Sequence, residues 1–283
     1  MNVLRLEIGE AWPENTAVSW VLLDGAGQRT TQVAQGAGRL EEAPPAAACE
    51  VVLTGAQCAL YRLRLPPGTR ADRAQWVAYA LEEQLAEETE TQHCTVVGQD
   101  GDQAVVAVVA AARLRAVITA VAAAGHPLRA VWPVLVWLPV APDQWTVAVD
   151  GGGGLLRQGD GSGFAWDWDD ATATPPWLLR QAVAEARHGA QAPAAIQILV
   201  AAGGAQPALA EWSRILGLPL RPGPPWSVLP GPVSVPSRAN LLHGPFAPRR
   251  ASRAGFARLK PALAIAAAAL VLHVGIGVGH AYW

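Results

Sequence analysis

The densest group of like charges in the chain is Glu82, Glu83, Glu87, Glu88 and Glu90, within Leu81-Glu82-Glu83-Gln84-Leu85-Ala86-Glu87-Glu88-Thr89-Glu90. On a helix, Glu83, Glu87 and Glu90 stand at i, i+4 and i+7 and share a face, where each like-charge pair costs roughly a few tenths of a kcal/mol. Such a face is either solvated or a docking surface for a basic partner that relieves the repulsion. Catalytic chemistry finds no comparable support. Ser162 sits in Gly161-Ser162-Gly163 without the spacing of a nucleophile elbow, and His93, His126, His188 and His243 form no i, i+4 metal pair. No Gly-x-x-x-x-Gly-Lys-Ser/Thr phosphate loop is present. Cys49, Cys58 and Cys94 are odd in number and widely spaced, which suits reduced, buried thiols rather than disulfides or a C-x-x-C site. Binding rather than catalysis is expected, with no cofactor and no metal.

These residues need a body to hold them. With 283 residues, 51% of them hydrophobic, the chain can bury one large core or two smaller ones. Arginine supplies nearly all the positive charge, Lys260 being the only lysine, and a net charge of -2 lacks the excess that a nucleic-acid binder needs. Residues 1–10 carry no basic stretch ahead of an apolar one, so no cleavable signal peptide is expected and the region before the C-terminal segment starts in the cytoplasm.

Residues 261–283 contain no Asp, Glu, Lys or Arg, and about 20 helical residues cross a hydrocarbon core of ~30 Å. Arg249, Arg250, Arg253, Arg258 and Lys260 stand just before this stretch. The positive-inside rule then predicts a single-pass inner-membrane helix with the N-terminus cytoplasmic and the C-terminus periplasmic. Tyr282 and Trp283 suit the far interface, and His273 and His280 suit interfacial or packing positions. The alternative for this weakly hydrophobic, Ala- and Gly-rich stretch is a buried core helix.

Upstream, runs at 4–8 and 18–23, the turn signal Asp24-Gly25 with Gly27, and a third run near 30–33 predict a β-meander. Strands follow at 51–54 and 60–65. A helix over 70–90 places Val77, Leu81 and Leu85 on one face. A strand at 104–110, a helix over 113–124 stopped by Gly125, and a strand at 131–138 carrying Trp132 and Trp137 make a βαβ pattern. A second cycle has a strand at 145–149, a glycine turn at 151–154, a return strand, a helix over 176–186, a strand at 196–200 and a helix over 207–216 ended by Gly217. Prolines recur through 219–236 and predict an extended segment, with the soluble boundary near His243.

The fold class predicted is α/β: a duplicated ribonuclease-H-like, actin-like cytoplasmic region followed by one transmembrane helix. The lobes are placed at 1–145 and 146–243, a basic juxtamembrane linker at 244–260 and the membrane helix at 261–283. Such a fold raises nucleotide binding. Glu7-Ile8-Gly9, Asp150-Gly151-Gly152 and Ala202-Gly203-Gly204 each follow a strand where actin-like enzymes hold phosphates or adenosine. The chemistry needs a carboxylate to organise Mg²⁺ and donors for the phosphates. Glu stands first in place of the usual Asp, and no Thr, Ser or Lys follows Gly9 in the tight loop. Asp150 with Gly151 to Gly154 remains the phosphate cradle of an alternative actin-like ATP-binding protein.

Two stretches carry a family resemblance: Tyr79-Ala80-Leu81-Glu82-Glu83-Gln84-Leu85-Ala86-Glu87-Glu88, and Asn240-Leu241-Leu242-His243-Gly244-Pro245-Phe246-Ala247-Pro248-Arg249 ahead of the basic flank. Together they resemble protein L of the bacterial type II secretion system. The resemblance implies an inner-membrane scaffold that recruits the cytoplasmic secretion ATPase, the E protein, and couples it to pseudopilus assembly for protein export across the outer membrane. It also implies pairing with the M protein of the platform and a homodimer, and an actin-like fold without known enzymatic activity. The family places a ferredoxin-like periplasmic domain after the helix, and pairing with the M protein through that domain is not assigned to any of these 283 residues. The glutamates at 82, 83, 87, 88 and 90 are expected to contribute to the ATPase contact or to packing between subunits. A type IV pilus assembly platform component, which divides cytoplasmic and membrane parts between two chains, is a further alternative.

Overall fold

Alternation near the N-terminus builds the first sheet. In β1 (Asn2–Ile8), Leu4, Leu6 and Ile8 are buried in the main core, while Val3 joins Val21 and Leu23 in a smaller cluster. β2 (Val18–Ala26) and β3 (Arg29–Gly38) follow antiparallel, which is the predicted meander with a longer third strand. β4 (Ala48–Leu53) lies parallel to β1 and is buried at every position, as a parallel strand covered on both faces must be. The computed structural model describes residues 2–26, 29–66, 70–149, 153–167, 173–189, 192–201, 204–229 and 236–248.

An insertion follows β4. It comprises β5 (Cys58–Arg64), α1 (Arg70–Glu82), β6 (Gln92–Asp100) and β7 (Gln103–Ala110), and leads into α2 (Ala111–Ala123). β6 was not among the predicted strands. Its buried phase is His93, Thr95 and Val97, so two polar residues stand where an apolar alternation would reveal a strand. After α2 the chain turns at Gly125, whose φ of 79° suits a residue without a side chain. β8 (Leu128–Pro133) then lies parallel to β4 and completes the order β3-β2-β1-β4-β8. The strand predicted over 131–138 ends at Pro133. Val134–Trp137 form a 3-10 turn that buries Trp137, because Pro133 and Pro139 offer no N–H to a strand ladder.

The second half repeats that order. β9 (Gln144–Val149), β10 (Gly153–Arg157) and β11 (Gly163–Asp167) are antiparallel, two strands standing where one return strand was predicted. α3 (Trp177–His188) precedes β12 (Ala195–Val200), and α4 (Leu209–Leu216) precedes β13 (Leu220–Pro222). β12 is parallel to β9 and β13 to β12. The order β13-β12-β9-β10-β11 reproduces β8-β4-β1-β2-β3 and is the duplicated ribonuclease-H-like arrangement of an actin-like fold. The second sheet continues further: Gly163 on β11 pairs with Leu60 on β5, adding β5, β7 and β6 to make eight strands. The sheets therefore do not divide at residue 145.

One compact unit extends through Phe246, three residues past the predicted boundary at His243. Among the described residues no helix is long and apolar enough to cross a membrane. The predicted membrane segment at 261–283, the flanking Arg249, Arg250, Arg253, Arg258 and Lys260, and Asp150, Gly151, Gly152, Ala202 and Gly203 lie outside the described residues.

Candidate functional site

Glu82 is the last residue of α1, so the glutamates do not share a helix face as their spacing predicts. Beyond it Glu83 and Glu87 lie in turns and bends, Glu88 caps a 3-10 turn and Glu90 lies within that turn. The reason is local. Leu85 donates its amide to the Leu81 carbonyl at 3.0 Å and tucks against the core cluster of Leu81 and Val77, after which the chain redirects into β6. All five carboxylates are nevertheless exposed. The last turn of α1 holds no basic residue, so Glu82 adds negative charge to the negative end of the helix. A cationic partner would offset that strain.

Next to these glutamates is a cavity of about 450 Å³, lined among others by Glu10, Gln57, Tyr61, Leu85, Glu87 and Arg113. Arg113, on α2, is held from several sides. Its Nε donates to Gln57 Oε1 at 2.7 Å, Nη2 to the Gly9 carbonyl at 2.6 Å and Nη1 to the Trp12 carbonyl, while the guanidinium lies 5.2 Å over the Trp12 ring. Glu10 accepts the Ala56 N–H at 2.9 Å. Burial pushes the Glu10 carboxyl above the usual range, and Asp167 facing it acts in the same direction. The loop after β1 is thus tied to a cation of the protein itself, and a phosphate there would meet two carboxylates. Of the other two strand-end loops, only Gly204 is described, its amide donating to the Ala201 carbonyl at 2.8 Å.

The second motif forms a docking segment. Residues 236–246 return to the first sheet and attach to its outer strand, β8. Leu241 N donates to the Val131 carbonyl at 2.9 Å, Asn240 Oδ1 accepts the Val131 and Leu242 amides at 3.0 Å each, and Asn240 Nδ2 donates to the Arg129 carbonyl at 3.1 Å. On β6, His93 Nε2 donates to the Leu241 carbonyl at 2.8 Å, and the Thr95 hydroxyl is 2.7 Å from His243 Nε2. The two imidazoles lie with centroids 4.5 Å apart and planes tilted by 39°, and Phe246 meets His93 edge-on. No i, i+4 spacing could have signalled this pairing, which joins residues far apart in sequence.

Burial first and His243 second hold His93 well below its ordinary value, at about 4. A depressed value means that the unfolded chain binds the extra proton. The stability contributed by neutral His93 is full above about pH 6.5 and is lost as pH falls towards about 4. His93→Gln keeps a donor for the Leu241 carbonyl without titrating. Its melting temperature is expected to fall less steeply over that window than that of the unsubstituted chain, and equal slopes would contradict the assignment. The thiols are inert by the same physics: burial pushes Cys49 and Cys58 up to about 12 and the half-buried Cys94 up to about 11. Among the described residues, no group of three or more His, Cys, Asp or Glu side chains could hold a metal.

The model of the family described as type II secretion system (T2SS), protein L, matches residues 14–249. The chain belongs to the type II secretion system protein L family. Type II secretion system protein L of Pectobacterium carotovorum subsp. carotovorum is 26% identical over 249 residues, 84% of this chain and 55% of that protein. The chain spans about half the length of that curated relative, and the aligned share of the others it matches is smaller. Among solved structures, the cytoplasmic domain of EpsL, an inner-membrane component of the type II secretion system of Vibrio cholerae, superposes with a TM-score of 0.63. That match has 19% identity and covers 87% of this chain and 100% of that one. The PilM–PilN type IV pilus biogenesis complex superposes with a TM-score of 0.56 at 14% identity, covering 80% of this chain and 89% of that one. Both likenesses show the shared fold. In protein L terms, the two sequence motifs are the end of α1 with its acidic turn, and the segment that fastens the chain to β8 and β6 just before the basic stretch.

Proposed function

We propose that this chain is the actin-like part of an inner-membrane scaffold that recruits the cytoplasmic secretion ATPase and couples it to pseudopilus assembly. Membership of the protein L family carries the proposal, and the docking segment supports it: the compact unit ends at Phe246, and the basic flank begins three residues later at Arg249. In this scheme the juxtamembrane linker, predicted at 244–260, starts after Phe246, and 261–283 is the single membrane helix, with the N-terminus cytoplasmic and the C-terminus periplasmic. A homodimer and pairing with the M protein belong to the same proposal. No catalytic role is assigned to any residue.

Glu82, Glu83, Glu87, Glu88 and Glu90 are the proposed contact for the ATPase or for a second copy, because all five are exposed and crowd the negative end of α1. The test is co-purification of the full chain in detergent with the secretion ATPase of the same bacterium, at low and high salt. Wild type is expected to bind with salt-sensitive affinity. Glu83→Lys with Glu87→Lys and Glu88→Lys is expected to lose it. If the triple variant keeps both the ATPase and self-association, the glutamates are not the contact.

A further inference from the structure

We propose that the cavity beside the glutamates receives the side chain of an arginine or lysine from the secretion ATPase. The inference rests on the scaffold reading and gives its contact a chemical identity. The guanidinium and side-chain amide donors that line the cavity are engaged. Arg113 directs its guanidinium to Gln57, Gly9 and Trp12, and Gln92 Nε2 donates to Glu87 Oε2 at 2.7 Å and to Thr91 Oγ1 at 3.1 Å.

Acceptor capacity is in surplus. A carboxylate offers about four acceptor sites. The contacts that occupy them here are the Ala56 amide on Glu10 and the Gln92 amide on Glu87, and Glu10 also faces Asp167. The charge of the lining is unbalanced in the same sense, because Glu10 and Glu87 stand against one cation, Arg113. A ligand must therefore bring donors and positive charge. It must also bring hydrocarbon, since Ala59, Leu85, Val108 and Val109 form an apolar wall. An anion fails the first requirement and a small hydrated metal ion fails the second.

A long basic side chain satisfies both, with its stem against the aliphatic wall and its head at the carboxylates. The volume of about 450 Å³ is enough to take one long side chain. The occupant is assigned to a protein rather than a free amine because Glu87 belongs both to the cavity and to the exposed acidic segment. A partner lying along that segment passes the opening.

The test measures the Kd of the full chain in detergent for the ATPase, using four variants. Glu87→Gln removes one carboxylate. Ala86→Leu, at an exposed lining position, occupies the cavity without changing charge. Glu41→Gln makes the same charge change on a surface remote in sequence. Asp102→Asn, exposed beside Arg64, is a second remote control. Glu87→Gln and Ala86→Leu are each expected to weaken binding about tenfold or more, and the two controls less than about twofold. Binding insensitive to Ala86→Leu, or equally sensitive to the controls, would overturn the cavity assignment while leaving the scaffold in place. No binding by the unsubstituted chain would remove the scaffold reading itself, and the cavity assignment with it.

Discussion

Truncating Leu241 to alanine is expected to destabilise the compact unit by about 2–5 kcal/mol, although the residue lies between two short 3-10 turns in a segment without α-helix or strand. Leu241 is 0% exposed and belongs to the main core with Val131, Leu114 and Trp132. Deleting its branched end leaves a cavity whose walls belong to different elements and cannot all close in. The neighbouring Asn240→Ala removes no core volume but orphans the Val131 and Leu242 amides, at about 1–3 kcal/mol for each buried donor. Chemical denaturation followed by tryptophan fluorescence gives both values, and amide exchange at Leu241 shows whether the segment has lifted from β8. A loss below about 1 kcal/mol in both variants would mean that residues 236–246 are an appendage rather than part of the fold.

Glu50→Ala is expected to cost about 3–5 kcal/mol. Glu50 sits mid-sheet on β4 at 6% exposure, between Arg5 of β1 and Arg129 of β8. Arg5 donates to Glu50 Oε2 through Nε at 3.0 Å and Nη2 at 2.9 Å, and Arg129 approaches Oε1 through Nε at 3.0 Å and Nη2 at 2.7 Å. Arg5 is about as buried as its carboxylate and lies 5.2 Å over the Trp137 ring, so losing Glu50 takes a doubly bonded carboxylate from a guanidinium that water cannot readily reach. Arg129, half exposed, contributes less. The double replacement Arg5→Met with Glu50→Leu removes both charges and is expected to recover most of the loss. Thermal denaturation compares the three chains. A double variant as unstable as Glu50→Ala would show that shape, not charge, is what the position requires.

How far the sequence discloses this molecule depends on whether a residue's partners are local. β1, β2, α2, β9 and β12 follow from hydrophobic periodicity because their buried phase is apolar. β6 stays hidden because its buried phase is filled by His93 and Thr95, which are there to hold Leu241 and His243. The length of α1 is overestimated for a related reason: Leu85 keeps helical spacing from Leu81 in a turn, so a packed turn imitates one more helical step. Trp137 reads as strand and is buried in a 3-10 turn. At the candidate site the glutamates are visible as acids at once. Glu10, Gln57 and Arg113, which complete the cavity with Glu87, come from separated parts of the chain, and no local pattern announces that they meet.

The single Leu60–Gly163 pairing has a mechanical meaning. In a two-lobed molecule that works by opening and shutting, a hinge runs between independent sheets. Here the insertion of one half is hydrogen-bonded into the sheet of the other, and Ala148, Leu155 and Leu199 share a core with Leu4, Leu6 and Val51. A swing of one half would have to tear sheet and core together. If the ATPase contacts the acidic end of α1, a unit joined in this way would pass a push there on to Phe246 instead of folding at a hinge between halves.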